Sequence, residues 1–349
     1  MRIEATITDP PNLQELSRHG RRLDEIGFDT ILFTEAGHDP FLPAMTLAEH
    51  TERTQLGTGI AIAFPRSPFV TAQIAWDLQR YTGGRFLLGL GTQVKGHNER
   101  RYSTPWPSPP GPRLREYILC LRAIFETFQT GARPEFVGEH YQFTLDSPFF
   151  NPGPNPDGGR VPLYVSAVNR YNCCLAGELC DGIRMHPLNT ARYIEEVIRP
   201  AVSEGARKAG RELSEIDFAV NPFVITGEDA EALAQSRELI RRHISFYAAT
   251  RAYSGVMDLH GWGKEAAALV RLSTQGRWDD MPALVTDEML DELAVSGSLE
   301  ELPAKLEERF AGLVTSINLV FGPPYAELQE RQRGMFESLE PIMQALKQI

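Results

Sequence analysis

The stretch Gly83-Gly84-Arg85-Phe86-Leu87-Leu88-Gly89-Leu90-Gly91 decides the fold. Two glycines turn the chain into a continuous apolar run. A strand wetted on one face alternates apolar and polar residues, whereas a continuous run is covered on both faces, as in a parallel sheet. Ile31-Leu32-Phe33 reads the same way. Working outward, eight strand-like segments emerge: Met1–Ile7, Thr30–Phe33, Leu56–Ala63, Arg85–Gly89, Leu163–Val168, Gly182–His186, Asp217–Ile225 and Ser316–Phe321. A helix-like stretch follows each. Leu13, Leu16, Leu23 and Ile26 share one helical face that Gly27 ends, and Leu114, Ile118, Leu121, Phe125 and Phe128 form a stripe closed by Gly131. Parallel strands need long crossovers, so this alternation predicts an α/β fold, and eight rounds predict a closed (β/α)8 TIM barrel. A doubly wound open sheet is the competing fold. It calls for a Gly-rich turn after the first strand, where this chain has Thr8-Asp9-Pro10-Pro11-Asn12.

The 349 residues suit a single barrel domain spanning 1–349 with two insertions. One, about 136–160, is a Pro/Gly-rich loop after strand four; the other, about 245–297, holds extra helices between strands seven and eight. Long insertions in barrels cap the active face, so both are candidate lids or interface elements. Hydrophobic residues make up 42% and charged ones 23%, with no uncharged apolar run long enough for a membrane span. Met1–Ile7 reads as a strand with no secretory pattern, so a cytoplasmic location is expected. The net charge of −11 argues against nonspecific nucleic-acid binding. Cys120, Cys173, Cys174 and Cys180 form no C-x-x-C pair and read as buried thiols. No H-E-x-x-H, H-x-H or G-x-S-x-G pattern occurs, so neither a metal site nor a serine nucleophile is expected.

In a TIM barrel the active site lies on the loops at the C-terminal ends of the strands. These are Thr34–Pro40, Ala63–Pro68, Gly91–Arg101, Ala167–Arg170 and His186–Thr190. The Gly91–Arg101 loop is the densest polar run. The ordered set Leu56-Gly57-Thr58-Gly59-Ile60, Arg66-Ser67-Pro68 and Gly83–Gly91 resembles the signature of luciferase-like monooxygenases, most closely their coenzyme F420-dependent branch. The resemblance runs from Met1 to at least Phe321.

It implies an oxidoreductase that moves a hydride between F420 and a small organic substrate at a C=C, C=N or C=O/alcohol group. The alternatives are an FMN-dependent monooxygenase or reductase, and a catalytically silent ligand-binding barrel. A homodimer is also implied. Family members carry a non-proline cis peptide at a bulge in strand three, under the cofactor ring, which by position is Gly59–Ile60. From the residues alone, Gly59 is equally explained by crowding inside the barrel. Glu35 and His38 are the implied candidates for proton donor. Many relatives have an acidic residue directly before His, but here Ala36 and Gly37 intervene, and Asp39 before Pro40 reads as a helix cap. His97 is a candidate for the ring's pyrimidine edge. Lys95, Arg100 and Arg101 would supply a local positive field, or simply a solvated loop paired with Glu99. Val168, Asn169 and Arg170, with His186, are the implied cofactor contacts after strands five and six. This corner lacks its relatives' glycines, so Arg170 is the candidate replacement phosphate ligand. Phe246, Tyr247, Tyr253, His260 and Trp262 would wall a substrate pocket or belong to the core.

Overall fold

The computed structural model describes residues 1–8, 12–107, 109–155, 159–227, 229–318, 340 and 343–346. Eight strand positions close into a parallel barrel. They are Arg2–Ile7, Thr30–Phe33, Gln55–Thr58 continued by Ala61–Ile62, Phe86–Gly91, Leu163–Ala167, Gly182–Met185, Asp217–Val220 and Ser316–Asn318. Each pairs in parallel with the next, and the first pairs with the eighth, so the barrel keeps no free edge. The expected continuation of strand eight to Phe321 lies outside the described residues.

Local chemistry sets the helices as the sequence indicates, with one exception. The first helix, Leu13–Ile26, starts on Asn12, whose side chain accepts the Glu15 N–H, and stops at Gly27 with φ 97°. Leu16, Leu23 and Ile26 are buried on its inner face, but Leu13 is 68% exposed, because it occupies the first helical position beyond the barrel wall. Helix Pro110–Thr130 buries its whole predicted stripe and ends at Gly131 with φ 72°. Strand seven is shorter than expected. Asn221 and Pro222 interrupt it, and Phe223–Ile225 pairs instead with Ala294–Ser296 in a separate two-stranded sheet.

Both insertions carry secondary structure among the described residues. After strand four, Phe136–Val137 and Gln142–Phe143 form an antiparallel ribbon. Glu116 pins it to helix Pro110–Thr130 by accepting the backbone N–H groups of Glu139 at 3.0 Å and His140 at 2.6 Å. Between strands seven and eight come helices Ala230–Ala248, Ser254–Leu259, Gly263–Thr274 and Asp287–Leu293. Ser245 therefore lies inside the first of these helices.

Alternate residues of each strand point into the barrel. Ile3, Ala5 and Ile7 join the outer core with the helices, which turns Glu4 inward. There it meets Arg184 of strand six, Nη1 to Oε2 at 2.7 Å and Nη2 to Oε1 at 3.3 Å, with the two side chains 1% and 4% exposed. The Arg184 guanidinium also lies 4.9 Å from the Tyr164 ring centroid. Leu32, Leu87 and Tyr164 fill the same interior as a small apolar cluster. Glycines make room for them: a Cβ on Gly57 would fall 2.5 Å from Leu87, and one on Gly182 would fall 2.2 Å from Tyr164.

Removing one partner of a buried ion pair strands the other charge, at a cost of about 3–5 kcal/mol, while replacing both with apolar groups is far milder. Glu4→Ala is expected to lower the urea midpoint strongly, and the double variant Glu4→Leu/Arg184→Met to recover most of the loss. A single variant with the wild-type midpoint would contradict this account of the barrel interior.

Candidate functional site at the barrel mouth

Strands three and four keep register at Gly57 opposite Leu87, and again at Ala61 opposite Leu90. Three residues, Thr58–Ile60, thus face two, Leu88 and Gly89, which defines a β-bulge with one extra residue. The Gly59–Ile60 peptide within it is cis. A bulge leaves ladder groups without strand partners, and here side chains supply them. The Thr58 hydroxyl donates to the Gly89 carbonyl at 2.7 Å and accepts the Gly89 N–H at 2.9 Å. Gly59 N–H donates to the Phe33 carbonyl at 2.8 Å, and Glu35 N–H to the Ile60 carbonyl at 3.2 Å.

Glu35 completes the brace with its side chain. Its carboxylate accepts the Ile62 N–H at 2.7 Å and Arg66 Nη1 at 2.7 and 2.9 Å. Arg66 Nη2 reaches Asp39 at 2.9 Å. Burial opposes the Arg66 charge, but Glu35 and then Asp39 outweigh it and hold the guanidinium above its ordinary value. The other Asp39 oxygen accepts the N–H groups of Phe41 at 2.8 Å and Leu42 at 3.2 Å, so it caps helix Phe41–Ala48. His38 sits exposed on the same loop. The structure thus joins Glu35 and Asp39 through Arg66, which the sequence offered only as part of a motif.

The floor beside the bulge is glycine covered by Ile60. Gly91 leaves space that Ile60 takes, since a Cβ there would sit 2.8 Å from Ile60 Cδ1. Around this floor, at the ends of several strands, lie buried polar atoms without hydrogen-bond partners among the described residues: Thr34 Oγ1, His97 Nδ1, Asn221 Oδ1 and Asn318 Oδ1. Such atoms are costly unless something binds them, and their clustering at one end of the barrel marks a ligand site.

The remaining candidates divide. His97 stands in the short helix Lys95–Arg100, its imidazole held below its ordinary value by burial and then by Arg101 and Arg100. Lys95 is exposed and faces Glu99 at 3.9 Å. The Val168 carbonyl accepts the Tyr193 hydroxyl at 3.0 Å, and Asn169 caps helix Arg170–Leu179 through the Asn172 N–H. Arg170 turns the other way. It pairs with Glu204 and lines an outer groove with Arg115 and Lys208, because the first helical residue after the Asn169 cap projects away from the barrel axis. His186 accepts the Leu188 N–H on Nδ1 at 3.0 Å and stacks on Tyr253, ring centroids 4.2 Å apart. Tyr247 meets it edge-on at 4.5 Å. Phe246 is half exposed, whereas His260 stacks on the buried Trp262 and reaches Thr190 Oγ1 at 2.9 Å.

Eight parallel strands closed on themselves, with the braced bulge at the C-terminal mouth, define a (β/α)8 TIM barrel. The luciferase-like monooxygenase family model matches residues 1–316, so the chain belongs to that family. It is 41% identical over 322 residues to an uncharacterized protein of Mycobacterium tuberculosis, covering 92% of this chain and 93% of the relative. It is 31% identical over 210 residues to F420-dependent glucose-6-phosphate dehydrogenase 1 of Rhodococcus jostii, covering 58% and 60%. Among solved structures, the coenzyme F420-dependent tetrahydromethanopterin reductase from Methanopyrus kandleri superposes with a TM-score of 0.77 at 19% identity, covering 97% of each chain.

The two imidazoles of the aromatic wall give a pH prediction. Burial pushes His186 down to about 3 and His243 down to about 4. With folded values below the unfolded one, the unfolded chain binds the extra protons, so their contribution is complete above about pH 6.5 and declines as the pH falls below it. The denaturation midpoint is expected to fall between pH 6.5 and 5. In the double variant His186→Asn/His243→Asn this slope should flatten; an unchanged slope would refute the assignment.

Proposed function

We propose that this chain is an oxidoreductase that transfers a hydride between the deazaflavin coenzyme F420 and a small organic substrate, at a C=C, C=N or C=O/alcohol group. The observation that carries the reading is the braced floor at Gly59–Ile60 and Gly91, ringed by buried polar atoms without partners among the described residues. A flat tricyclic ring suits such a floor. The F420-dependent relative supports the deazaflavin, while the family itself accommodates FMN, which shares the tricyclic shape.

In this reading Gly59 and Ile60 underlie the ring, and His97 with the Arg100–Arg101 field meets its polar edge. Backbone groups around Val168 and Asn169 would hold the tail, without Arg170, which is committed to Glu204. When bound, the deazaflavin supplies the hydride chemistry. The chain's own part is alignment and proton supply. Both Glu35 oxygens already accept N–H bonds, so we assign Glu35 to holding the bulge and His38 to moving the proton.

Absorbance titration of the purified protein with reduced F420 and with reduced FMN tests this directly. Micromolar binding of F420 is the expected outcome, and tight FMN binding without F420 binding would overturn it. A Cβ on Gly59 would lie 3.2 Å from Leu32, so Gly59→Val is expected to weaken F420 binding about tenfold or more, as overpacking costs about 1–3 kcal/mol. His38→Ala should lower kcat with F420 affinity retained. If neither variant changes anything, the mouth is misplaced.

We also infer a homodimer. The packed helices Phe41–Ala48 and Pro68–Tyr81 expose Leu42, Met45 and Val70, an apolar face suited to a second copy. Sedimentation should show a dimer that Leu42→Glu/Val70→Glu converts to monomer; a wild-type monomer would exclude it.

A further inference from the structure

The residue that follows the sixth strand, Gly182–Met185, has a side chain whose hydrogen-bonding state is fixed by its surroundings. His186 packs its ring against Tyr253 and Tyr247 of the insertion. Nδ1 accepts the Leu188 N–H at 3.0 Å, which places the ring proton on Nε2. Burial keeps the ring uncharged. Among the described residues Nε2 has no hydrogen-bond partner. The imidazole is therefore a neutral, single-proton donor with its other nitrogen already used.

Its neighbours are aromatic. Tyr253 stacks on it at an interplanar angle of 23°, Tyr247 meets it edge-on at 78°, and Phe223 and His243 lie 6.4 and 6.3 Å behind Tyr247. Apart from His186 itself, these side chains all come from strand Phe223–Ile225 and the insertion that follows it. The inward charge on the sixth strand, Arg184, is neutralised by Glu4. The wall is built of aromatic rings, so an anion placed against it would lose hydration with little compensation. A planar molecule with one hydrogen-bond-accepting oxygen suits it.

We propose that His186 and the Tyr247–Tyr253 wall form the substrate subsite, and that the Nε2–H of His186 donates to the carbonyl oxygen of a neutral, planar ketone or enone. This deepens the oxidoreductase reading and rests on it. The subsite selects uncharged conjugated carbonyl compounds. His186 is then a substrate-binding residue and not a cofactor contact.

The test compares 1-indanone with indane, which keeps the planar rings and lacks the oxygen, by titration calorimetry on the full-length protein with and without F420. Wild type is expected to prefer 1-indanone by about tenfold, the scale of one buried hydrogen bond. His186→Asn should abolish that preference while leaving indane and F420 affinity unchanged, since the Asn Oδ1 can still accept the Leu188 N–H. Tyr253→Ala should weaken both probes, with F420 unaffected. Absence of any preference in wild type, retention of the preference in His186→Asn, or loss of F420 affinity in that variant would each overturn the proposal. Failure of the deazaflavin reading registers separately, as no F420 binding by wild type, and leaves the indanone–indane comparison intact.

Discussion

Closing eight parallel strands creates an interior that must be either filled or used, and the rest of this protein follows from how that volume is divided. Below the mouth it is filled by Tyr164, Leu32, Leu87 and the Glu4–Arg184 pair. Such a pair is tolerated only because each charge meets the other in good geometry and the Tyr164 face covers the guanidinium. Above it, glycine replaces side chain, and the Ile60 side chain packs over Gly91 to form the floor. The plug and the pocket are two halves of one packing solution.

The bulge joins those halves. One extra residue in strand three disrupts the ladder, and every displaced polar group named above is recovered by something specific: Thr58, Phe33, or the backbone and carboxylate of Glu35. Glu35 can do this because strand two ends beside the bulge, and Arg66, four residues past Ile62, returns to neutralise it. That commitment changes the chemistry available at the mouth. A carboxylate fully engaged as an acceptor orients its neighbours, which is why proton movement is proposed for the more exposed His38.

Much of this was legible in the residues. Continuous apolar strands, helix stripes and the stops at Gly27 and Gly131 depend on local periodicity and backbone freedom, which a sequence displays directly. Gly59–Ile60 was legible through family pattern. Hidden were the contacts made across long sequence separations. Glu4 and Arg184 look anomalous within apolar strands, and only strand alternation combined with closure shows that they meet. The His186 stack on Tyr253 needs the path of the insertion. Arg170 misled because its position after strand five suggested the mouth, whereas the Asn169 cap aims the helix's first side chain outward toward Glu204. Strand seven misled for a related reason, since Phe223–Ile225 has strand character but a different partner.

The mouth is electrically lopsided, and that asymmetry bears on what enters where. On the strand-four side burial, and after it Arg101 and Arg100, hold the His97 imidazole below its ordinary value, so that side carries the positive charge. On the strand-six side the wall is aromatic and both imidazoles are neutral. His260 ties the insertion to the barrel through Thr190, and Tyr193 joins the loop after strand six to Val168 after strand five. In a protein of net charge −11, an anionic ligand is drawn to the strand-four side, and a neutral one loses least by facing the tyrosines. The hydride transfer proposed above would use this asymmetry, with the anionic cofactor's charge toward strand four and the uncharged substrate against the tyrosines.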